Sequence, residues 1–544
     1  MIEKPAGGSA SWFSPPRLAL RGAVAGVVAG AVGIAASELL AGVIPGTPSL
    51  VVAVGSFIIA LQPPGAKDVV IALFGTNDKL AVNVAVVVVA LLVAATAGIL
   101  GRRSFDYAAR LLIAFGLVAF LAATVQPLSS PGLAAVNAAM ATAASIGTLR
   151  VLVAEAGFMA PLRLGFPAFG RTGDRTRITD SAQSSAVAEP DRRRFLLRSL
   201  EFLVGALAVG VLGRLLLDRQ HPGSAPVSAT LPAAAQVAAP LTAAESLPAA
   251  GITSIVIPNG SFYRIDTELL VPQVDASTWQ LKVTGMVDHQ LTFTYPQLLA
   301  MPLFEQYVTI ACVSNEVGGN LVGNALWTGV HLKAVLAQAG VQSGATQIVG
   351  RSVDGFTVGF PTEYALDPAR EPMIAVGMNR QPLPAEHGYP ARLIVPGLFG
   401  YVSATKWLSE IELTTREAFD GYWVPLGWAK DGPIVTESRI DHPTDGETLS
   451  AGNVDIDGLA WAPDRGIKGV EVQIDDGPWQ AALLSRGISK ATWVQWWVRW
   501  QAMPGTHVIQ VRATDGTGTV QTATVASPAP SGATGYPKIQ VSVA

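Results

Sequence analysis

Residues 1–220 contain five apolar runs, each long enough to cross the roughly 30 Å hydrocarbon core of a bilayer. They lie at 18–44, 80–100, 107–125, 133–153 and 195–217. A sixth apolar stretch, 49–74, is broken by Pro63-Pro64-Gly65 and by the pair Lys67-Asp68. It reads as a crossing or as a re-entrant pair of half-helices sheltered by its neighbours. Positive charge decides between the two. Lys4, Arg17 and Arg21 hold the N-terminus in the cytoplasm, as Arg102, Arg103 and the Arg-rich segment 163–194 hold two later links. The uncharged links near Pro45 and Pro127 suit the opposite side. These assignments agree only if 49–74 turns back. The expectation is five spans in a lipid bilayer, with everything after Leu217 extracytoplasmic.

Gly22, Gly26 and Gly30 form two GxxxG steps, a signal for close helix packing but also a common feature of any membrane helix. All six histidines lie at or beyond His221, so the first four spans hold no bis-histidine haem. No haem is expected in this chain. An external electron carrier or a quinone-linked partner is expected instead.

A chain of 544 residues suggests three or four units. A net charge of −3 gives no concentrated basic face for nucleic acid, and neither GxxxxGK[ST] nor GxGxxG occurs. The single cysteine, Cys312, excludes an internal disulfide and limits any metal site to one protein sulfur. The units expected are transmembrane helices over 1–156, a cytoplasmic loop and fifth span over 157–220, and a flexible linker over 221–250 rich in Ala, Pro, Ser and Thr. An α+β domain is expected over 251–420 and an all-β immunoglobulin-like sandwich over 421–544. In the α+β part strands are expected at 252–257, 280–283, 307–311 and 347–349, with helices at 295–301 and 331–339. Strands at 470–474, 493–498 and 507–513 set the pattern of the last unit. Trp493, Trp496, Trp497 and Trp500 there are dense enough for a homodimer interface, although a sandwich core accounts for some of them.

Ahead of the fifth span the chain reads Asp191-Arg192-Arg193-Arg194-Phe195-Leu196-Leu197-Arg198, which resembles the twin-arginine export motif. An ordinary positive-inside flank reads the same way. A domain that folds around a cofactor before export would need such a signal.

Four motifs follow in order: Cys312-Val313-Ser314-Asn315; Gly323-Asn324-Ala325-Leu326-Trp327-Thr328-Gly329-Val330; Met378-Asn379 through Pro382-Leu383-Pro384, His387-Gly388-Tyr389-Pro390 and Arg392; then Val395-Pro396-Gly397 and Lys406-Trp407-Leu408. Together they resemble the sulfite oxidase family of molybdopterin enzymes. The resemblance implies a molybdenum–molybdopterin cofactor with Cys312 as metal ligand, a soft thiolate suited to a metal cycling between high oxidation states. Phe262-Tyr263-Arg264 resembles the family's "F-V-R" loop, which lies against the pterin and places Arg264 near the metal. His387 and Arg392 match pterin-phosphate ligands, and Ala404, Thr405 and Lys406 match a further cofactor contact. Asp354, in a Val-Asp-Gly-Phe turn, is either a pterin contact or an ordinary Asp-Gly turn.

Departures from the family pattern bear on the substrate. The family's "CAGNRR" arginines are replaced by Glu316 and Val317, and its "AYEMN" tyrosine is missing from Ala375-Val376-Gly377-Met378-Asn379. A carboxylate near the metal repels a dianion. An uncharged oxygen acceptor such as a sulfoxide therefore fits better than sulfite. Asn315 and Glu316 are candidates for shaping the pocket, and Trp327 and Phe399 for lining it. The expected function is oxygen-atom transfer on a small sulfur-containing molecule, with Cys312 and Arg264 at the reacting centre. The alternative is a membrane-tethered binding or sensory protein that keeps the fold without turnover. A transporter is disfavoured by few intramembrane charges and no evident repeat.

Overall fold

The computed structural model describes residues 16–61, 78–126, 130–158, 192–220, 230–249, 251–367 and 369–544. It divides into a helical unit and a β-rich unit, which takes in residues from His221 onward.

The helical unit comprises α1 (Pro16–Val43), α2 (Leu50–Ala60), α3 (Asp78–Gly101), α4 (Phe105–Thr124), α5 (Pro131–Glu155) and α6 (Arg192–Gln220). All except α2 are long and apolar enough to cross a membrane, because at 1.5 Å per residue about 20 residues span the hydrocarbon. The 11-residue α2 is too short. It starts at Ser49, whose hydroxyl accepts from the Val52 amide at 3.3 Å. The returning part of the expected re-entrant segment, residues 62–74, lies outside the described residues, as does most of the Arg-rich segment 163–194. The GxxxG glycines are used for close approach. A Cβ on Gly26 would sit 2.0 Å from the Ala94 carbonyl of α3, and one on Gly98 of α3 would sit 2.0 Å from the Gly22 carbonyl.

The β-rich unit begins with residues 230–249, where composition predicted a tether. The backbone is instead pinned: Gln236 bridges Phe304, the Leu247 amide donates to Gln495 Oε1 at 2.7 Å, and Glu245 pairs with Arg486. Apolar Leu231 and Leu241 pack against the core, which a scan for regular periodicity does not detect. Only 221–229 and 250 of that segment lie outside the described residues.

Two sheets follow. The first has the order β2 (Leu291–Thr294), β1 (Gln280–Gly285), β10 (Leu408–Thr414), β5 (Gln347–Ser352) and β6 (Thr357–Pro361), with β1 and β10 parallel. The second pairs β3 (Leu303–Ala311), β4 (Val322–His331), β7 (Met373–Met378) and β8 (Gln381–Pro382), with β9 (Arg392–Ile394) alongside β7. The expected helices appear as α7 (Tyr295–Leu299), closed by a Thr294/Gln297 capping box, and α8 (Leu332–Ala339); α9 (Thr362–Leu366) and α10 (Gly400–Ser403) are single turns. Residues 252–257 are not a strand. Their carbonyls serve side chains instead, with Ile255 accepting from Asn324 Nδ2 at 2.7 Å and from the Trp493 indole at 2.9 Å.

Residues 437–543 form two mostly antiparallel sheets around one core, built from strands such as β13 (Gly452–Trp461), β14 (Ile467–Ile474), β17 (Val494–Ala502) and β18 (Gly505–Asp515). Trp493 and Trp496 are fully buried and Trp500 nearly so, so core packing accounts for most of the tryptophan density. Trp493 and Trp461 belong to the core of the preceding sheets, and no hinge divides the two parts at residue 420.

Candidate functional site

The ends of β3, β5 and β9 and the turn after α10 border one cleft of about 80 Å³. Cys312 sits at its edge, directly after β3, where the strand leaves the sheet. The following loop is closed on itself: Cys312 N donates to Leu321 O at 2.9 Å, Asn315 N to Cys312 O at 3.1 Å, and Leu321 N to Asn315 Oδ1 at 2.8 Å. Asn315 thus braces the cysteine loop from within. Glu316 is exposed and does not line the cleft, which corrects the expectation of a carboxylate beside the metal. Its strand-exit loop turns the side chain outward, which sequence spacing alone does not reveal.

Five of the predicted cofactor residues, Tyr263, Asp354, Arg392, Ala404 and Lys406, share a cleft with Cys312, whereas Phe262, Arg264, His387 and Thr405 do not line it. Arg392 is buried at the start of β9; its guanidinium lies 5.3 Å from the Trp327 ring centroid and donates through Nη1 to His387 O at 3.3 Å. Burial lowers the Arg392 pKa to about 10, so the group stays cationic at neutral pH. His387, 1% exposed, is set in a single 3-10 turn, and burial, with Lys406 and Arg392 nearby, pushes its pKa down to about 3. The neutral ring donates from Nε2 to the Asn259 carbonyl at 2.9 Å, because a carbonyl can only accept. Phe262 stacks on Tyr263 with ring centroids 5.2 Å apart and meets the His387 ring edge-on at 5.6 Å. Burial raises the Tyr263 phenol above its usual range, and the neighbouring Cys312 adds to the shift.

Gly388 closes the His387 turn at φ +110°, and a Cβ there would lie 2.9 Å from Lys406 Cα. The His387 turn and Lys406 can therefore approach this closely only with glycine at this position. Trp407, next to Lys406, is held at φ +48°, an uncommon conformation for a bulky residue, and its indole is tied to Ala385 O at 2.7 Å. Asp354 accepts from Phe356 N at 3.0 Å in an Asp-Gly turn, and burial raises its pKa. Both readings of Asp354 thus coexist, since the turn carries the carboxyl into the cleft.

Asp266 was missed by sequence reasoning. It accepts from Lys406 Nζ at 3.0 Å and from Arg264 Nε at 2.9 Å and is itself almost fully buried. Its place two residues after Arg264 was the available signal. The cleft also carries Tyr401, Trp423 and Trp428, so tyrosine is supplied from positions other than 375–379. Val376, at the place of the missing tyrosine, lies in the core. Trp327 and Phe399 are core residues beneath the site and do not line it.

The residues fit a phosphate-bearing cofactor. Arg264 Nη2, Arg392 Nε, Thr405 Oγ1 and His387 Nδ1 are buried with no protein partner. Burying such groups unmatched costs about 1–3 kcal/mol each, more for charged ones, and an anionic ligand offsets that cost. It would also raise the His387 pKa and draw a proton onto Nδ1.

Residues 268–423 match the family of oxidoreductase molybdopterin-binding domains. This part of the chain is a molybdopterin-binding domain of the sulfite oxidase type. Human mitochondrial sulfite oxidase is 31% identical over 287 residues, covering 45% of this chain and 52% of that protein. Tomato (Solanum lycopersicum) NADH nitrate reductase is 32% identical over 178 residues, covering 28% of this chain and 19% of that enzyme. The chain thus spans about half the length, or less, of these curated relatives. Among solved structures, the sulfane dehydrogenase SoxCD from Paracoccus pantotrophus aligns at 25% identity and a TM-score of 0.45, over 52% of this chain and 76% of that one.

Proposed function

We propose that the chain is a membrane-anchored molybdenum oxidoreductase that exchanges an oxygen atom with a small, uncharged, sulfur-containing substrate. One observation carries the reading: among the described residues, buried nitrogens of Arg264, His387 and Arg392 have no partner and lie around Lys406, which lines a cleft edged by the single cysteine. The bound cofactor supplies two-electron oxygen-atom exchange at molybdenum. Cys312 offers the thiolate that would ligate the metal. Arg392, Lys406, Arg264 and His387 would hold the pterin phosphate, and Phe262, Ala404 and Thr405 shape its bed. Tyr263 keeps its proton at neutral pH and faces the cleft as a hydrogen-bond donor to an oxygen there.

The substrate reading rests on the cleft wall. Among the described residues its cations are Arg392 and Lys406, both of which would be taken up by the phosphate, while Phe356, Tyr401, Trp423 and Trp428 supply apolar surface. Such a wall suits a sulfoxide better than an oxyanion. The five apolar helices would anchor the chain, and the positive-inside pattern of the links favours an extracytoplasmic β-rich unit. The twin-arginine-like segment suits export after cofactor insertion. The C-terminal sandwich is read as immunoglobulin-like; with most of its tryptophans in cores, it carries a homodimer surface only elsewhere.

The test is cofactor retention. Arg392→Ala and Lys406→Ala, produced in a molybdenum-replete host, are expected to lose pterin and metal together. Wild-type retention in both variants removes Arg392 and Lys406 from the cofactor site, and a well-folded wild type with neither metal nor pterin sinks the reading and favours a fold kept without turnover.

A further inference from the structure

Within the helical unit a second cavity, of about 80 Å³, is walled by α1 to α5. That is several times the space one water needs. Its wall is apolar except for the hydroxyls of Ser37, Thr142 and Ser145, and no charged residue lines it. Ser37 is 1% exposed and its Oγ has no partner among the described residues. A buried hydroxyl left unmatched costs about 1–3 kcal/mol, so an acceptor in the cavity is favoured.

The polar end of the cavity is built up from behind. Asn137, fully buried on α5, donates to Pro48 O at 2.8 Å and to Ser37 O at 3.4 Å, and its Oδ1 has no partner. Glu38, next to Ser37, accepts from Ser49 Oγ at 2.5 Å and lies 3.7 Å from Arg214, which pairs with the exposed Asp218 at 3.3 Å. Ionisable groups in a membrane segment mark functional positions more often than not.

The wall chemistry selects the occupant. An acyl chain has no acceptor for the hydroxyls, and a charged headgroup finds no counter-charge. An uncharged ring with carbonyl acceptors and an apolar substituent satisfies both walls. We propose that this cavity binds an isoprenoid quinone, with one ring carbonyl accepting from Ser37. Choosing quinone over another neutral ring lipid rests on the oxidoreductase reading above, which requires a carrier of electrons to or from the metal. Residues 1–220 contain neither histidine nor cysteine, so that carrier is not a haem held by a histidine pair within them.

The experiment uses the full chain, purified in detergent from a molybdenum-replete host. Quinone and phospholipid are extracted and counted per chain, and ubiquinone-1 is titrated calorimetrically into wild type, Ser37→Ala and the cavity-filling Ala90→Phe. Wild type is expected to bind ubiquinone-1. Loss of one hydrogen bond in Ser37→Ala weakens binding about three- to tenfold, and Ala90→Phe abolishes it, with molybdenum content unchanged in both. Equal binding in all three proteins, no binding by wild type, or phospholipid as the sole extracted occupant overturns the proposal. Molybdenum without quinone refutes the site and leaves the enzyme reading standing. Quinone without molybdenum does the reverse.

Discussion

Asp266→Asn probes the site most sharply, because it removes a carboxylate that accepts from both Lys406 and Arg264 while keeping side-chain shape. Lys406 and Asp266 are 8% and 4% exposed and 3.0 Å apart. Stripping one partner from such a buried pair costs about 3–5 kcal/mol. Arg264 is 29% exposed, so solvent screens its share, and the lower end, about 3 kcal/mol, applies. At roughly 2–4 °C per kcal/mol, the cofactor-free protein should lose about 6–12 °C in unfolding midpoint. In the loaded protein a phosphate faces the same cations, and the loss should shrink to less than half. Tryptophan fluorescence reports this cleanly, since eleven of the twelve tryptophans lie at or beyond Trp279. An equal loss with and without cofactor, or no loss without it, refutes the assignment of these cations to an anionic ligand.

Gly388→Ala forces a Cβ against Lys406 Cα in a left-handed backbone, at a cost of about 1–3 kcal/mol; lowered pterin content with secondary structure retained is the expected reading by pterin assay and circular dichroism. Burial raises the Glu437 pKa to about 8 against the opposing pull of Trp461 and Asn315. Its unfolded carboxyl titrates near 4.5, so between those values the unfolded state holds fewer protons and stability falls as pH rises, by up to about 1.4 kcal/mol per pH unit. Glu437→Gln should flatten the decline of the unfolding midpoint between pH 5 and 8, and an unchanged slope would count against it.

The five long helices were legible because a bilayer-length span imposes length and apolarity on each. The cleft was legible in part, since Cys312 and Arg392 were singled out in sequence and both line it. Asp266 escaped because a carboxylate that pairs cations leaves no spacing signature. Glu316 misled because neighbours in a loop diverge: Asn315 turns inward to Leu321 N while Glu316 faces solvent. Residues 230–249 looked like a tether because their anchors, Gln236, Glu245 and Leu247, bind through backbone and distant partners rather than through a periodic face.

The most direct measurement is molybdenum and pterin per chain, with X-ray absorption at the metal, for wild type and Cys312→Ser. The account predicts about one metal and one pterin per wild-type chain, with about three sulfur neighbours falling to about two in the variant. A well-folded wild type with neither metal nor pterin, or a sulfur count unchanged by Cys312→Ser, contradicts it.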